Sequence, residues 1–305
     1  MSFQVKILGS NSATPAYGRH HTSQFVTIEQ RYFLVDCGEG TQIQLQRFQC
    51  HSARIQHIFI SHLHGDHYLG LMGLLFTFHL MGRKKDLHLY GQKGLQDIIT
   101  LQLKYSDTRL NYTIHFHQLD PEATEIIFED DKVDVTSFPL NHRIPCCGFL
   151  FREKPKPFRI NKEKLPSGMN VSAIRALKRG EDVLNKDGSI EYAASELTLP
   201  PRHSRSYAYL SDTSFQERLI PIIENVDMLY HEATFLNSRE EWAHKTFHST
   251  TGQAGRIARQ ANVGKLLIGH FSARYKDLTP FLEEVREEFK ESYLAIEGES
   301  HELKE

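Results

Sequence analysis

The chain has 305 residues, 40% of them hydrophobic, with a formal net charge of −2. This length suits one large domain or two modest ones, and no apolar run reaches the roughly 18 residues that a membrane-spanning helix needs. The charge excludes a uniformly basic body that would bind nucleic acid over its whole surface.

The first residues, Met1-Ser2-Phe3-Gln4-Val5-Lys6, have neither the basic segment nor the long apolar stretch of a signal peptide, so a cytoplasmic protein is expected. Short apolar strands then alternate with helical stretches, which predicts an α/β fold. Strands are predicted over Phe3–Leu8, Tyr32–Val35, His57–Ser61, Leu87–Tyr90, Val133–Pro139, Ser206–Leu210, Val226–Tyr230 and Lys265–Ile268. Helices are predicted after Gly40, Leu69, Gly94, Thr213, Ser249 and Thr279. At the last of these, Thr279 is read as the cap and Pro280 as the first helical residue.

Residues 152–200 break the alternation with Lys154-Pro155-Lys156-Pro157 and Leu165-Pro166-Ser167-Gly168, and only Val171–Leu177 looks helical. They are expected to protrude as an insertion from a single domain spanning 1–305. Residues 152–181 hold nine Lys/Arg against three Glu, a net +6, whereas residues 277–305 carry −7. Such asymmetry points to a local anion-binding feature.

The four cysteines, Cys37, Cys50, Cys146 and Cys147, form no C-x-x-C pair, and adjacent Cys146 and Cys147 cannot bridge without strain. No disulfide framework is expected, in keeping with a reducing compartment.

Histidine is over-represented, with 18 in the chain. His62-Leu63-His64-Gly65-Asp66-His67 places three His and one Asp within six residues, directly after a predicted strand. Imidazole and carboxylate together suit zinc. In extended geometry alternate residues point the same way, so His62 and His64 can share one ion. Gly65 is read as the turn that aims Asp66 and His67 at a second. Further ligand types follow other strands: His142, Asp212 and His270. The set is then complete, with one zinc on His62, His64 and His142, a second on Asp66, His67 and His270, and Asp212 bridging through its two oxygens. Manganese or iron could substitute.

The H-x-H-x-D-H string and its later His, Asp and His resemble the metallo-β-lactamase superfamily. Asp36-Cys37-Gly38-Glu39-Gly40-Thr41-Gln42, His231-Glu232-Ala233-Thr234-Phe235, His248-Ser249-Thr250-Thr251 and Gly269-His270-Phe271-Ser272-Ala273-Arg274-Tyr275 narrow the resemblance to the short form of ribonuclease Z. The resemblance covers nearly the whole chain. It implies a four-layer αββα sandwich with two zinc ions at one edge of the paired sheets. It also implies a hydrolase that cuts the 3′ trailer from precursor tRNA, and a homodimer. Glu232 and His248 would form an acid relay, and Asp66 would accept the proton of the attacking water. Asp36, and His231 with it, would support the ligands from behind. The insertion would grip tRNA through backbone contacts. Arg19, Arg159, Lys162, Lys164, Arg175, Lys178, Arg179 and Arg274 are the basic residues expected to meet the substrate. One departure stands out: the family's P-x-K-x-R-N loop is here Pro15-Ala16-Tyr17-Gly18-Arg19-His20, without its Lys and Asn. The principal rival is a small-molecule hydrolase of the same fold, such as a lactonase, thioesterase or arylsulfatase-like enzyme. It predicts the same metals without a tRNA arm.

Overall fold

A computed structural model describes residues 2–304. β1 (Phe3–Gly9), β2 (Ser23–Ile28) and β3 (Arg31–Val35) form an antiparallel meander. α1 (Thr41–Arg47) leads to β4 (His57–Phe59), α2 (Gly65–Tyr68) and α3 (Leu71–Leu80) to β5 (Leu87–Gly91), and α4 (Leu95–Tyr105) to β6 (Ile114–Gln118). These later strands run parallel to β3, as helical crossovers require.

β7 (Glu125–Glu129), β8 (Val133–Pro139) and β9 (Cys147–Glu153) open a second sheet as an antiparallel meander. β10 (Arg159–Ile160), α5 (Val171–Arg179), β11 (Val183–Leu184), β12 (Ile190–Tyr192), α6 (Ala194–Leu197) and β13 (Thr198–Leu199) make up the insertion. The chain then returns through β14 (Ser206–Leu210), α7 (Ile220–Ile223), β15 (Met228–Glu232), α8 (Glu240–Thr246), α9 (Thr251–Gln260) and β16 (Leu266–Gly269). It finishes with α10 (Thr279–Glu288), β17 (Ser292–Leu294) and β18 (Ser300–Glu302).

The two main sheets have seven strands each, ordered β18-β1-β2-β3-β4-β5-β6 and β17-β16-β15-β14-β9-β8-β7. Side-chain alternation explains how they stack. Phe33 and Val35 point inward and meet Phe149, Phe151, Tyr207 and Tyr209 from the other sheet in one buried cluster. Leu34 points outward, under Leu45, Leu71 and Leu75 from α1 and α3. On the far side Ala208, Leu229 and Ile268 sit beneath Ala254, Ile257 and Phe281 from α9 and α10. Each fully buried Leu or Phe contributes roughly 1.5–3 kcal/mol. The layers are therefore αββα, as the resemblance implies.

β8 and β14 fall where the sequence places them, but others differ. β15 begins two residues later than predicted, because parallel pairing of Tyr207 with Met228 and of Glu232 with Gly269 fixes its register. The sequence also misses β9. It is buried at six of its seven positions, so it shows no polar alternation, and it runs straight into the lysine-rich segment. The cap at α10 is a correction as well. Asp277 Oδ1 accepts from Thr279 N at 2.9 Å and Thr279 Oγ1 at 2.8 Å, so Thr279 is capped and does not itself cap.

The insertion is more ordered than a single helix. Asn170 caps α5, Gly180 ends it in the left-handed region, and Leu177, Ala194 and Leu197 form a small core of their own. At its root Glu153 and Arg205, 5% and 1% exposed, form a buried ion pair. Removing one partner of such a pair costs about 3–5 kcal/mol.

Candidate metal centre

Every expected ligand stands at, or just beyond, the C-terminal end of a strand. Asp36, Asp212 and His270 follow β3, β14 and β16 with φ of 55°, 57° and 60°. Left-handed backbone is uncommon outside glycine, and Asp and His are among the residues that bear it best. These sharp bends store local strain of the kind that collects at functional sites. His64 is extended (φ −72°, ψ 147°), so it lies on the same side as His62, and Asp66 and His67 occupy the first turn of α2. Gly65 has no positive φ, and a Cβ there would meet only the flexible end of Leu69, so the predicted glycine turn is simply a helix start. The glycine the site does need is Gly38, where an added Cβ would lie 2.4 Å from the Asp66 carbonyl oxygen.

The ligand atoms converge on two points. In one group, His62 Nε2 and His142 Nε2 each lie 3.0 Å from His64 Nδ1 and 3.5 Å from Asp212 Oδ2. In the other, His67 Nε2 and His270 Nε2 are 3.4 Å apart, 3.2 and 3.0 Å from Asp212 Oδ1, and 3.5 and 3.4 Å from Asp66 Oδ2. Ligands at about 2.0–2.1 Å from a tetrahedral ion are separated by roughly 3.3–3.4 Å. The spacings fit that geometry in both groups, and Asp212 turns one oxygen to each.

The electrostatics fit a cation too. Burial opposes charge on Asp66 and Asp212, yet the imidazoles of His67 and His270 outweigh it and hold both carboxyls well below the usual range. Burial also opposes charge on His67, but Asp212, Asp66 and Asp36 outweigh it and raise this imidazole well above its ordinary value. His62 moves the other way, lowered by burial and by neighbouring His67. A buried site with three carboxylates demands positive charge, and among the candidate ligands His67 is the imidazole whose proton they favour. A divalent cation satisfies the same demand with all five ligand imidazoles neutral, as ligation requires.

Behind the ligands the hydrogen bonds are saturated. Buried Asp36 accepts from His67 Nδ1 at 2.7 Å, Ser61 N at 2.7 Å, Ser61 Oγ at 2.9 Å and Tyr209 Oη at 2.6 Å. His142 Nδ1 donates to the Phe247 carbonyl at 3.1 Å. Such partners fix the tautomer and aim the ring. Glu232, 0% exposed, accepts from His248 Nδ1 at 2.8 Å, from Thr213 N at 2.8 Å and from Thr234 Oγ1 at 2.5 Å. Thr234 Oγ1 in turn lies 2.9 Å from His270 Nδ1, so this one carboxylate orients both a ligand and His248. Burial works against charge on His248, but Glu232 outweighs it and pushes the imidazole up to about 9; two bound cations would act in the opposite direction. The sequence reading missed Ser61, Tyr209, Thr213 and Thr234. Ser61 directly precedes the histidine string, and Thr234 is part of the H-E-A-T string.

His64, Asp66, His142, Asp212, His248 and His270 floor a cleft of about 730 Å³ whose walls include Arg143, Trp242, Lys245 and Arg274. Of these, sequence reading named only Arg274. Several expected residues are not brought to the cleft. His231 bonds the Glu232 carbonyl at 2.7 Å; it alternates with Glu232 along β15 and shares the face of Leu229, under the helices. Arg19 gives its guanidinium to Asn11 Oδ1 at 2.8 Å and to the carbonyls of Tyr275 and Lys276 at 2.5 and 3.4 Å, pinning one loop to another. Arg159, Lys162, Lys164, Arg175, Lys178 and Arg179 are exposed on the insertion, outside the cleft lining. Arg179 pairs with Glu181, and Arg159 Nε donates to the Pro200 carbonyl.

Residues 3–158 match, and place that half of the chain in, the family described as "Anti-Pycsar protein Apyc1". That span holds the histidine string and His142 but ends before Asp212, Glu232, His248 and His270. A ribonuclease Z of Cytophaga hutchinsonii is 49% identical over 300 residues, 98% of this chain and 96% of that protein. The crystal structure of human tRNase Z, short form, superposes with a TM-score of 0.73 at 27% identity, covering 99% of each chain. A metallo-beta-lactamase fold protein from Bacillus subtilis gives 0.69 at 20% identity, covering 99% of this chain and all of its own, which is likeness of fold alone. Near-full-length identity of this order, together with a cluster of side chains able to hold metal in the expected fold, establishes that the chain belongs to the ribonuclease Z family of metallo-β-lactamase-fold hydrolases.

Proposed function

We propose that this protein is a zinc-dependent endoribonuclease that removes the 3′ trailer from precursor tRNA, leaving a 3′-hydroxyl on the tRNA and a 5′-phosphate on the trailer. The observation that carries this reading is the Glu232–His248 pair, 2.8 Å apart, beside two groups of ligands that share Asp212. His62, His64, His142 and Asp212 would hold one zinc, and Asp66, His67, His270 and Asp212 the other, with manganese or iron as substitutes. When bound, the ions lower the pKa of a water and neutralise charge on the phosphate.

The chain's own residues do the rest. Asp66 commits Oδ2 to the ligand cluster and to Ala13 N at 2.7 Å; its other oxygen accepts the water's proton as the new O–P bond forms. Departure of the 3′ oxygen breaks the second P–O bond and needs a proton. Glu232 engages His248 Nδ1, so Nε2 is the nitrogen that supplies it. Arg143, Lys245 and Arg274 line the cleft where phosphate charge collects. Asp36 acts only by orienting His67.

A small-molecule hydrolase of the same fold would not need the insertion, whose Lys162, Lys164, Arg175 and Lys178 are exposed and form no ion pair among the described residues. We assign the insertion the role of a tRNA arm. β10 and β13 pair at Ile160 and Thr198, so residues 161–197 can be replaced by a tight turn without cutting the root. That deletion is expected to spare hydrolysis of an aryl phosphodiester and to weaken precursor tRNA cleavage through KM, with less salt dependence of binding than the intact enzyme. Equal loss of both activities would make the insertion structural, and undiminished tRNA cleavage would favour the small-molecule reading.

Zinc as the native metal, a homodimer and a cytoplasmic location belong to the same proposal. Free Cys37, Cys50, Cys146 and Cys147 support a reducing compartment. Exposed Leu80 and Met81 at the end of α3, and Leu101 and Tyr105 on the second half of α4, support a partner on that side. A purely monomeric sedimentation profile contradicts the dimer. No helix among the described residues is long and apolar enough to cross a membrane.

A further inference from the structure

Trp242 is the only tryptophan in the chain, and the chemistry above gives it no task. It stands on α8, the short helix whose left-handed end at Phe247 (φ 58°) leads directly into His248. It is 45% exposed, an uncommon state for the largest apolar side chain, so packing does not account for it. Two hollows meet at its ring: the catalytic cleft, and a groove of about 390 Å³ that also takes in Arg239, Glu240 and Glu241. Lys245, like Trp242, borders both. The guanidinium carbon of Arg274 lies 6.0 Å from the Trp242 ring centroid, over the ring.

An exposed aromatic with one cation over its ring and another three residues on along the same helix, beside a phosphodiester-cleaving centre, has the makeup of a nucleobase platform. Every base has a π-face, so stacking on indole is strong and tolerant of sequence, and the flanking cations attract the backbone. The charges also orient the ligand. In the outer groove Glu240 and Glu241 offset Arg239 and Lys245, whereas on the cleft side Arg143 and Arg274 join Lys245, so phosphate is drawn inward while a base reaches outward. His248 protonates the departing 3′ oxygen, so the nucleotide bearing that oxygen lies on the α8 side.

We propose that Trp242, backed by Arg274, stacks the base of the last nucleotide the tRNA retains, and thereby sets how the substrate end is positioned for cleavage. The inference rests on the ribonuclease reading above.

The sole tryptophan is its own reporter. Zinc-loaded His248→Ala protein, which should bind without cutting, is titrated with 3′-extended precursor tRNA while RNA binding is followed independently by anisotropy of a labelled precursor. Emission should be quenched in step with binding. An abasic site at the last retained nucleotide should abolish the quench, and one at the first trailer nucleotide should not. In otherwise wild-type protein, Trp242→Leu should raise KM about tenfold with zinc content unchanged, and Trp242→Phe should restore most of it. Binding with unaltered emission, quenching lost only with the trailer abasic site, or an unchanged KM in Trp242→Leu overturns this assignment alone. Failure to bind or cut any precursor tRNA overturns the ribonuclease reading and this inference with it.

Discussion

Replacing His248 by alanine should lower kcat for precursor tRNA cleavage by roughly 10²- to 10⁴-fold, the range that a positioned proton donor contributes. Zinc content and RNA affinity should stay near those of the parent protein. His248 sits within reach of Asp212 and His270, but its hydrogen bond runs to Glu232, and both ligand groups are complete without it. Its loss therefore removes an interaction made mainly as the 3′ oxygen departs, which lowers kcat and not binding. A precursor with a sulfur in place of that 3′ oxygen leaves without needing the proton, so it should be cut by the variant nearly as fast as by the parent. Loss of metal, or equal loss with both substrates, would show that His248 is a ligand or a structural residue. Glu232→Gln should fall between the two proteins, since it keeps a hydrogen bond to His248 but removes the charge that favours the imidazolium.

Asp212→Ala should lose nearly all activity for a different reason: the metals leave. Both ligand groups close through Asp212, Oδ1 at 3.0 Å from His270 Nε2 and Oδ2 at 3.5 Å from both His62 Nε2 and His142 Nε2. Removing it takes one ligand from each site and one negative charge from between two cations. Elemental analysis after dialysis should fall from about two zinc ions per chain in the parent toward none in the variant, since each group loses a ligand and the two cations lose the carboxylate that offsets their mutual repulsion. Retention of two zinc ions would mean that Asp212 is not the bridge.

The candidate ligands that the structure gathers were legible because their pattern is local: four in one string, and three more each placed within three residues of an apolar strand's end. Asp36 was legible for the same reason. What stayed hidden depends on contacts across the chain or on register. A two-residue slip in predicting β15 leaves His231 and Glu232 beyond the strand, where both appear free to face the site. In the true register they occupy opposite faces, and only Glu232 reaches the centre. Arg19 looked free for substrate because its acceptors, Tyr275 and Lys276, lie some 256 residues away in sequence. Thr234 stood in plain view, but its place between Glu232 and His270 depends on the Ala233–Gly269 pairing at the end of the sheet. The left-handed conformations of Asp36, Asp212 and His270 have a weak sequence trace, in that Asp and His are among the few side chains that tolerate them.

This constellation is expected to cut precursor tRNA at the end of its mature body. The most direct measurement is incubation of the purified, zinc-loaded protein with a 3′-extended precursor tRNA, followed by mapping of both product ends. The expected result is one endonucleolytic cut, giving tRNA with a 3′-hydroxyl and an intact trailer with a 5′-phosphate, abolished by chelation and restored by zinc. Cleavage that persists after the metal is stripped, a 3′-phosphate on the tRNA, or an uncut precursor alongside rapid hydrolysis of a lactone or thioester would contradict it.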